Sequence, residues 1–354
     1  MKIHFIYKQG DRISTPFSIT NEVYVRLKKK YDVVLYDFDE AGTIIPEKGD
    51  ILIGHPHPFK DTIFRNSYQH ENWSRKIMIS PYHHGIIRYF ALFDDLYDGI
   101  DLFLAICGKY WYHSMPEEIF SHWYPLALHM ELAVNHDHFP FIKTSFNPPG
   151  KRKFLYIGST LDYKSTDYLA ELTLKNPDIT FGWIGFGEIK STNLVKHGVL
   201  NFSDPDHLEI VKSYDFLLTT GKSDANPTTI LESAAWGLIP VCTKESGYYE
   251  ENWVVNVPLY NADDASNVIQ HLNNSDDSYL KTLQANGQSA INKQYNWTLF
   301  ADKVFKAIEA PLPIRPELNA KKKIHRLFLK LISLNYKWKT MNYSLSFLLK
   351  KIFK

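Results

Sequence analysis

Short apolar runs alternating with amphipathic stretches restrict the fold of this chain more than any other feature, because an uninterrupted apolar run suits a strand buried on both faces. In the first part of the chain the runs are KIHFIY, YDVVLYDF, DILIGH, KIMIS and DLFLAI. Between them NEVYVRLKKK reads as a helix, and FALFDDLYDGI is a second candidate. Such alternation predicts a doubly wound α/β domain, in which ligands bind outside the carboxyl ends of the strands. A second series follows: KFLYIG, ITFGWIGFG, VLNF, YDFLLTTG, IPVCT and WVVNVP. The polar, proline-rich break TSFNPPGKRK separates the two series and marks the expected domain boundary. At 354 residues the chain is long for one core and near the size of two. The expected domains are 1–147 and 148–312, facing a cleft of the kind that holds small molecules, followed by a tail over 313–354.

Only Cys107 and Cys242 occur, each inside an apolar segment, which excludes a disulfide framework or a cysteine zinc cluster. A cytoplasmic setting is expected, since the N-terminal MKIHFIYKQG lacks a signal-like apolar run and no segment reaches about 18 uninterrupted apolar residues. Charge is unevenly distributed. From Arg315 onward there are eleven basic residues and the single acid Glu317, so the tail carries +10 and the preceding residues −9 of the overall +1. In the tail Ile324, Leu327, Phe328, Leu331, Trp338, Met341, Leu345, Leu348 and Ile352 recur at helical spacing among lysines. Two readings suit such a basic amphipathic helix: attachment over 321–354 to an anionic membrane at the inner face, or docking on the protein itself. Nucleic acid is not an expected partner, because the acidic body would repel it.

The most informative motif is SDANPTTILESAAWGLIPV, Ser223 to Val241. Asn226 suits a helix N-cap and Pro227 the first helical position. Ile230, Leu231, Ala234 and Ala235 give an apolar stripe, Gly237 a left-handed stop, and IPVC a buried strand. Asp224 then lies in a loop before the helix and Glu232 rides on it. First-turn N–H groups with the positive helix end suit a phosphate, and Glu232 suits sugar hydroxyls. A capped βα unit with an incidental Glu is the alternative.

These residues resemble, as a set, the C-terminal domain of GT-B glycosyltransferases, in particular the retaining family 4. FLYIGSTLDYK resembles its opening strand and Gly-to-Lys spacing, kept here by Gly158 and Lys164. IGFG, VLNFSDPDHLEIVKSYDFLLTTG, the Asp224-to-Glu232 motif, ESGYYEE and YNWTLFADKVFKAI resemble successive elements in order, covering residues 154–308. The resemblance implies two Rossmann-like domains and metal-independent transfer of a hexose from a nucleotide-sugar donor, with no further cofactor. The acceptor would be a carbohydrate or lipid-linked intermediate in cell-surface polysaccharide or glycolipid assembly. By position, Asp224 would be catalytic, Lys164 would face the diphosphate, the backbone at Pro227, Thr228 and Thr229 would complete the phosphate cradle beside Gly158 and Asn226 on the donor side, and Glu232 would take the ribose.

Three departures stand out. Ser159 replaces an expected Arg, which points to Lys222 or another residue as a second cation. Asp224 replaces Glu, and QGDRISTPFSITNE replaces a glycine-rich loop. They motivate a rival reading as a weak or inactive GT-B-like assembly subunit; a nucleotide-sugar epimerase or phosphorylase is a second. In the first domain His55 and His57 (GHPHPF) and His83 and His84 (SPYHHG) follow predicted strands. Either His83 or His84 suits a role at the donor sugar or acceptor, and the sequence does not choose between them. IGFG lacks the third glycine of a dinucleotide fingerprint.

Overall fold

The computed structural model describes residues 1–10, 16–58 and 61–352, with side chains through Tyr336. The chain divides into two compact units, one of residues 1–105, 113–129 and 303–354, the other of 106–112 and 130–302. These differ from the expected boundaries in that 106–112 and 130–147 cluster with the second unit and 303–354, tail included, with the first.

The first unit is built on β1 (Lys2–Ile6), β2 (Asp32–Tyr36), β3 (Ile51–Gly54), β4 (Arg75–Pro81), β5 (Leu102–Ile106) and β6 (Ala127–Met130), in the sheet order β2-β1-β3-β4-β5-β6. Strand β1 pairs in parallel with β2 and β3, Ile3 lying opposite Val33 and Ile51. Order reverses between β1 and β3, the position at which open α/β sheets form their ligand crevice. Around this sheet run α1 (Phe17–Lys28), α2 (Ile63–Ser67) and α3 (Ile87–Ala91), while helix α4 (Lys109–Ser114) begins in the second unit and ends in the first. Helix α1 buries Ile19, Val23 and Leu27, one face at four-residue spacing. FALFDDLYDGI is not one helix: α3 ends at Ala91 and a 3₁₀ turn covers Asp94–Gly99. Strand β6 has no run-like signal, with three of its four residues only partly buried. An aromatic cluster forms the core, Phe90 lying 5.3 Å from Phe103, 4.9 Å from Phe120 and 5.8 Å from Trp123 between ring centroids.

The second unit carries β7 (Lys153–Ile157), β8 (Thr180–Ile184), β9 (Val195–Gly198), β10 (Phe216–Thr219), β11 (Ile239–Cys242) and β12 (Val255–Asn256), all paired in parallel in the order β12-β11-β10-β7-β8-β9. Its helices are α5 (Thr166–Lys175), α6 (Pro205–Lys212), α7 (Thr228–Trp236), α8 (Ala262–Asn274) and α9 (Asp277–Lys293); α10 (Trp297–Glu309) returns the chain to the first unit. The order is that of a dinucleotide-type Rossmann sheet, with its switch point between β7 and β10. Phe154, Phe181, Phe216, Ile239 and Val241 anchor the core. The run VLNF is not the strand expected there. The edge strand is the preceding VKHG, because an edge needs backbone pairing on one side and no apolar burial, and Val199 is left exposed.

The break at 144–153 is fastened to this unit by Asp215, whose fully buried carboxylate accepts from the N–H groups of Asn147 and Lys153 (both 2.9 Å), from Asn147 Nδ2 (2.8 Å) and from Lys143 Nζ (2.9 Å).

The tail forms α11 (Ala320–Ile352), and its first half docks on the first unit. Arg326 donates to both Asp98 oxygens at 2.8 and 2.9 Å and reaches the buried Asp94 carboxylate at 3.4 Å. Asp94 also holds His122 Nε2 at 2.5 Å and Trp123 Nε1 at 3.1 Å. Arg326 and Arg315 both lie on the Tyr97 ring, 4.7 and 4.6 Å from its centroid. Arg326→Ala is expected to cost the docked helix about 2–4 kcal/mol, read as faster amide exchange over 320–336 with the sheet unaffected. Hydrogen bonding from Arg326 holds the Asp98 carboxyl below its ordinary value, so this contribution is complete above the unfolded value of about 4 and is lost as pH falls through the folded one. Exchange protection that stays unchanged in the variant would show that Arg326 is not the fastening. The tail side chains Trp338, Met341, Leu345, Leu348 and Ile352 lie outside those described.

Candidate functional site

At the switch point of the second unit three charged side chains converge. Strand β7 is followed by Gly158, whose N–H donates to Ile184 O and whose carbonyl accepts from Trp183 Nε1, both at 3.0 Å. The chain then runs past Ser159, whose carbonyl accepts from Tyr156 OH at 2.6 Å, into a 3₁₀ turn over Asp162–Lys164. Ser165, at φ +50°, supplies a left-handed residue without being glycine and redirects the chain into α5. Backbone strain of this kind persists where surroundings over-determine it. Here the buried Thr220 hydroxyl fixes the turn by facing the carbonyls of Lys164 and Ser165 at 3.2 and 3.1 Å.

The turn directs Lys164 onto Asp224, with which it forms an ion pair at less than one-fifth exposure on either side. Burial works against the Lys164 charge, but Asp224, Tyr163 and Glu232 outweigh it and hold the ammonium above its ordinary value. Glu232, on the first turns of α7, receives the Thr228 hydroxyl. Burial pushes its carboxyl up to about 7, opposed by that hydrogen bond and by Lys164. One cation, two carboxylates and a helix N-terminus thus face one another.

The cap differs from expectation. Helix α7 begins at Thr228, with Pro227 as N-cap at φ −64°, ψ 120° and no side-chain cap. Asn226 is not the cap, because its Oδ1 accepts from the buried Leu132 N–H at 2.6 Å, a donor that would otherwise be left unsatisfied. The first-turn N–H groups at Thr228 and Thr229 have no intrahelical acceptor and remain the anion-attracting end. Gly237 closes the helix at φ +92°, and its last carbonyls are taken by Gln288 Nε2 (2.6 Å to Ala234 O) and Gln284 Nε2 (2.7 Å to Gly237 O).

Residues with no motif signal hold the Asp224 loop. Gly108 N–H donates to Ala225 O at 2.8 Å, Trp111 Nε1 to Asp224 O at 2.8 Å, and Asp224 N–H to Glu245 O at 3.0 Å. A Cβ on Gly108 would lie 2.1 Å from Gly247 O, so this approach requires glycine. Only a glycine between an apolar strand and an aromatic cluster, IC-G-KYWY, could have drawn attention to it.

Lys222 is turned to Asp162 at 2.8 Å, an exposed pair on the turn that carries Lys164. The remaining candidates lie in the first unit, His83 and His84 after β4 and His55 and His57 after β3. His83 is buried and stacks on Tyr89 with centroids 6.0 Å apart. His84 lies 3.2 Å from Tyr82 OH and 3.5 Å from Glu118; burial lowers its pKa and Glu118 opposes this. His55, also buried, is pushed down to about 4 and faces Ile79 O at 3.1 Å, while His57 lies 3.7 Å from Asp39. Among the described residues no three His, Cys, Asp or Glu side chains are grouped to hold a metal.

Neither a family model nor a curated protein matches this chain. Solved structures do. Sucrose-phosphate synthase from Thermosynechococcus elongatus aligns with a TM-score of 0.62 at 11% identity, over 87% of this chain and 98% of that one. WaaG, a glycosyltransferase involved in lipopolysaccharide biosynthesis, aligns at 0.59 and 11%, over 87% and 100%. HepE from Anabaena, solved with UDP, aligns at 0.58 and 10%, over 88% and 100%. TarM from S. aureus gives 0.57 at 12% over 74% of this chain, which spans only 55% of TarM's length. The chain thus has the GT-B fold of these proteins, two Rossmann-like units on six-stranded sheets with a helical C-terminal extension.

Proposed function

We propose that this protein is a glycosyltransferase moving a hexose from a nucleotide-sugar donor to a carbohydrate or lipid-linked acceptor in cell-surface polysaccharide or glycolipid assembly, with retention of anomeric configuration. The observation that carries this reading is the convergence of Lys164, Asp224, Glu232 and the α7 N-terminus at the switch point of a Rossmann sheet. Structural neighbours add support: HepE is solved with UDP, with UDP and glucose, and with UDP-glucose, and TarM with UDP and alpha-GlcNAc-glycerol.

In this reading the donor diphosphate lies against Lys164 and the backbone of Pro227, Thr228 and Thr229, with Gly158 lining the approach, and Glu232 accepts from the ribose hydroxyls. The bond from the anomeric carbon to the phosphate oxygen breaks, its electrons leave with the nucleoside diphosphate, and the acceptor oxygen bonds that carbon and gives its proton to the departing diphosphate oxygen. Negative charge grows on the diphosphate, where a fixed cation and helix-end N–H groups act without reorganising. Asp224, held by its backbone contacts, orients Lys164 before the donor arrives. Lys222 is the second cation, since an exposed pair such as its contact with Asp162 is held weakly. Either His83 or His84 serves the donor sugar or the acceptor.

The test is saturation-transfer NMR of the protein against UDP-, GDP-, ADP- and CMP-sugars. One nucleotide class should bind, and binding should vanish in Glu232→Ala; binding unaltered by that variant sinks the site. A pH dependence follows from Glu232. A carboxyl held at about 7 is mostly protonated at pH 6 and mostly ionised at pH 8, and only the ionised form accepts from both ribose hydroxyls. Donor affinity should rise up to about tenfold between those values, and Glu232→Gln should be flat at the lower level. A flat wild-type profile would remove Glu232 from the ribose.

A further inference from the structure

Docking of α11 through Arg326 divides the helix into two faces. Taking about 100° per residue, Arg326, Leu329, Ser333 and Tyr336 lie on one side. Leu329 is fully buried, Ser333 is buried, and Tyr336 meets the Arg88 guanidinium at 5.9 Å. Ile324, Leu327, Phe328, Leu331 and Leu334 fall within about 120° on the opposite side. These five remain 51–65% exposed in the docked state, so packing on the first unit does not account for them. Lysines border the stripe on both sides, Lys321 next to Phe328 and Lys323 and Lys330 next to Leu334, and all three are exposed. No Asp or Glu occurs between Ala320 and Ile352. No helix among the described residues is long and apolar enough to cross a membrane.

We propose that α11 is a lipid-binding strut whose Arg326 face is fastened to the first unit and whose opposite face enters the headgroup layer of an anionic membrane. Charge selects this occupant. A second copy apposed on the same stripe would bring lysine rows against lysine rows, whereas anionic headgroups meet them with opposite charge while the five apolar side chains reach the acyl boundary. Attachment to the protein and attachment to a surface, alternatives for the tail as a sequence, are simultaneous because they use opposite faces. This inference does not depend on the transferase reading.

The full chain should float with vesicles of phosphatidylcholine containing about 30 mol% phosphatidylglycerol, and at least about tenfold less with phosphatidylcholine alone. The Leu327→Glu/Phe328→Glu/Leu331→Glu variant should lose at least about tenfold in binding, with an unchanged thermal midpoint because all three side chains are exposed. Lys321→Glu/Lys323→Glu/Lys330→Glu, which keeps the apolar stripe, should also lose binding to the anionic vesicles. Equal binding to neutral vesicles, full binding by either variant, or no flotation overturns the proposal. So does a concentration-dependent dimer abolished by the apolar variant without any vesicle binding, which would assign the stripe to a second copy.

Discussion

Lys164→Ala is expected to lower transfer from a nucleotide-sugar donor by about 10²–10³-fold, the effect of removing one preorganised charge from a developing anion. The size follows from Ser159. A serine there leaves Lys164 as the cation that the strand-end turn holds inward, while Lys222 starts from a surface pair with Asp162 and has to move. The ion pair with Asp224 sharpens the test, because in the proposed donor site the variant also strands that carboxylate beside the phosphates and adds repulsion. Lys164→Ala/Asp224→Asn removes the stranded charge. Recovery of donor affinity in the double variant without recovery of turnover would separate ground-state repulsion from loss of transition-state stabilisation. A Lys164→Ala enzyme within about threefold of wild type would take the lysine out of the donor site.

Asp215→Ala should destabilise the second unit by about 3–5 kcal/mol, because it leaves the buried Lys143 ammonium unpaired and two backbone N–H groups without their acceptor. Burial already lowers the Lys143 pKa against the pull of Asp215, so the lysine would meet the loss partly by giving up its proton. For a unit of this size the thermal midpoint should fall by about 6–20 °C. Adding Lys143→Met should restore part of the loss by removing the unpaired charge, whereas Asp215→Asn should be intermediate, its single oxygen accepting from one of the two backbone N–H groups without neutralising the lysine. A shift below about 1 kcal/mol for Asp215→Ala would mean that solvent reaches the break at 144–153 and replaces the carboxylate.

These two residues mark what could be read in advance. Lys164 stood out through its spacing from Gly158 and the order of elements after it. Asp215 gave no sign, since an aspartate before a strand looks like ordinary turn polarity; its role exists only because the fold brings 143–153 alongside. Ile239–Cys242, Phe216–Thr219 and Lys153–Ile157 were legible because strands buried on both faces must be apolar throughout. Val195–Gly198 was not, because an edge strand is specified by the partner that offers it hydrogen bonds.

The chain's own pattern of apolar runs, glycine stops and the Asp224-to-Glu232 spacing determined two α/β units and placed a carboxylate on a helix after a loop. Local periodicity and backbone sterics are properties of neighbouring residues, so they are written in the sequence. Tertiary structure alone decided that Asn226 serves Leu132 instead of capping α7, that Trp111 and Gly108 hold the Asp224 loop, and that α11 docks through Arg326. Each depends on which distant donor or charge arrives at a buried acceptor, and a buried polar group is satisfied by whatever the fold delivers to it.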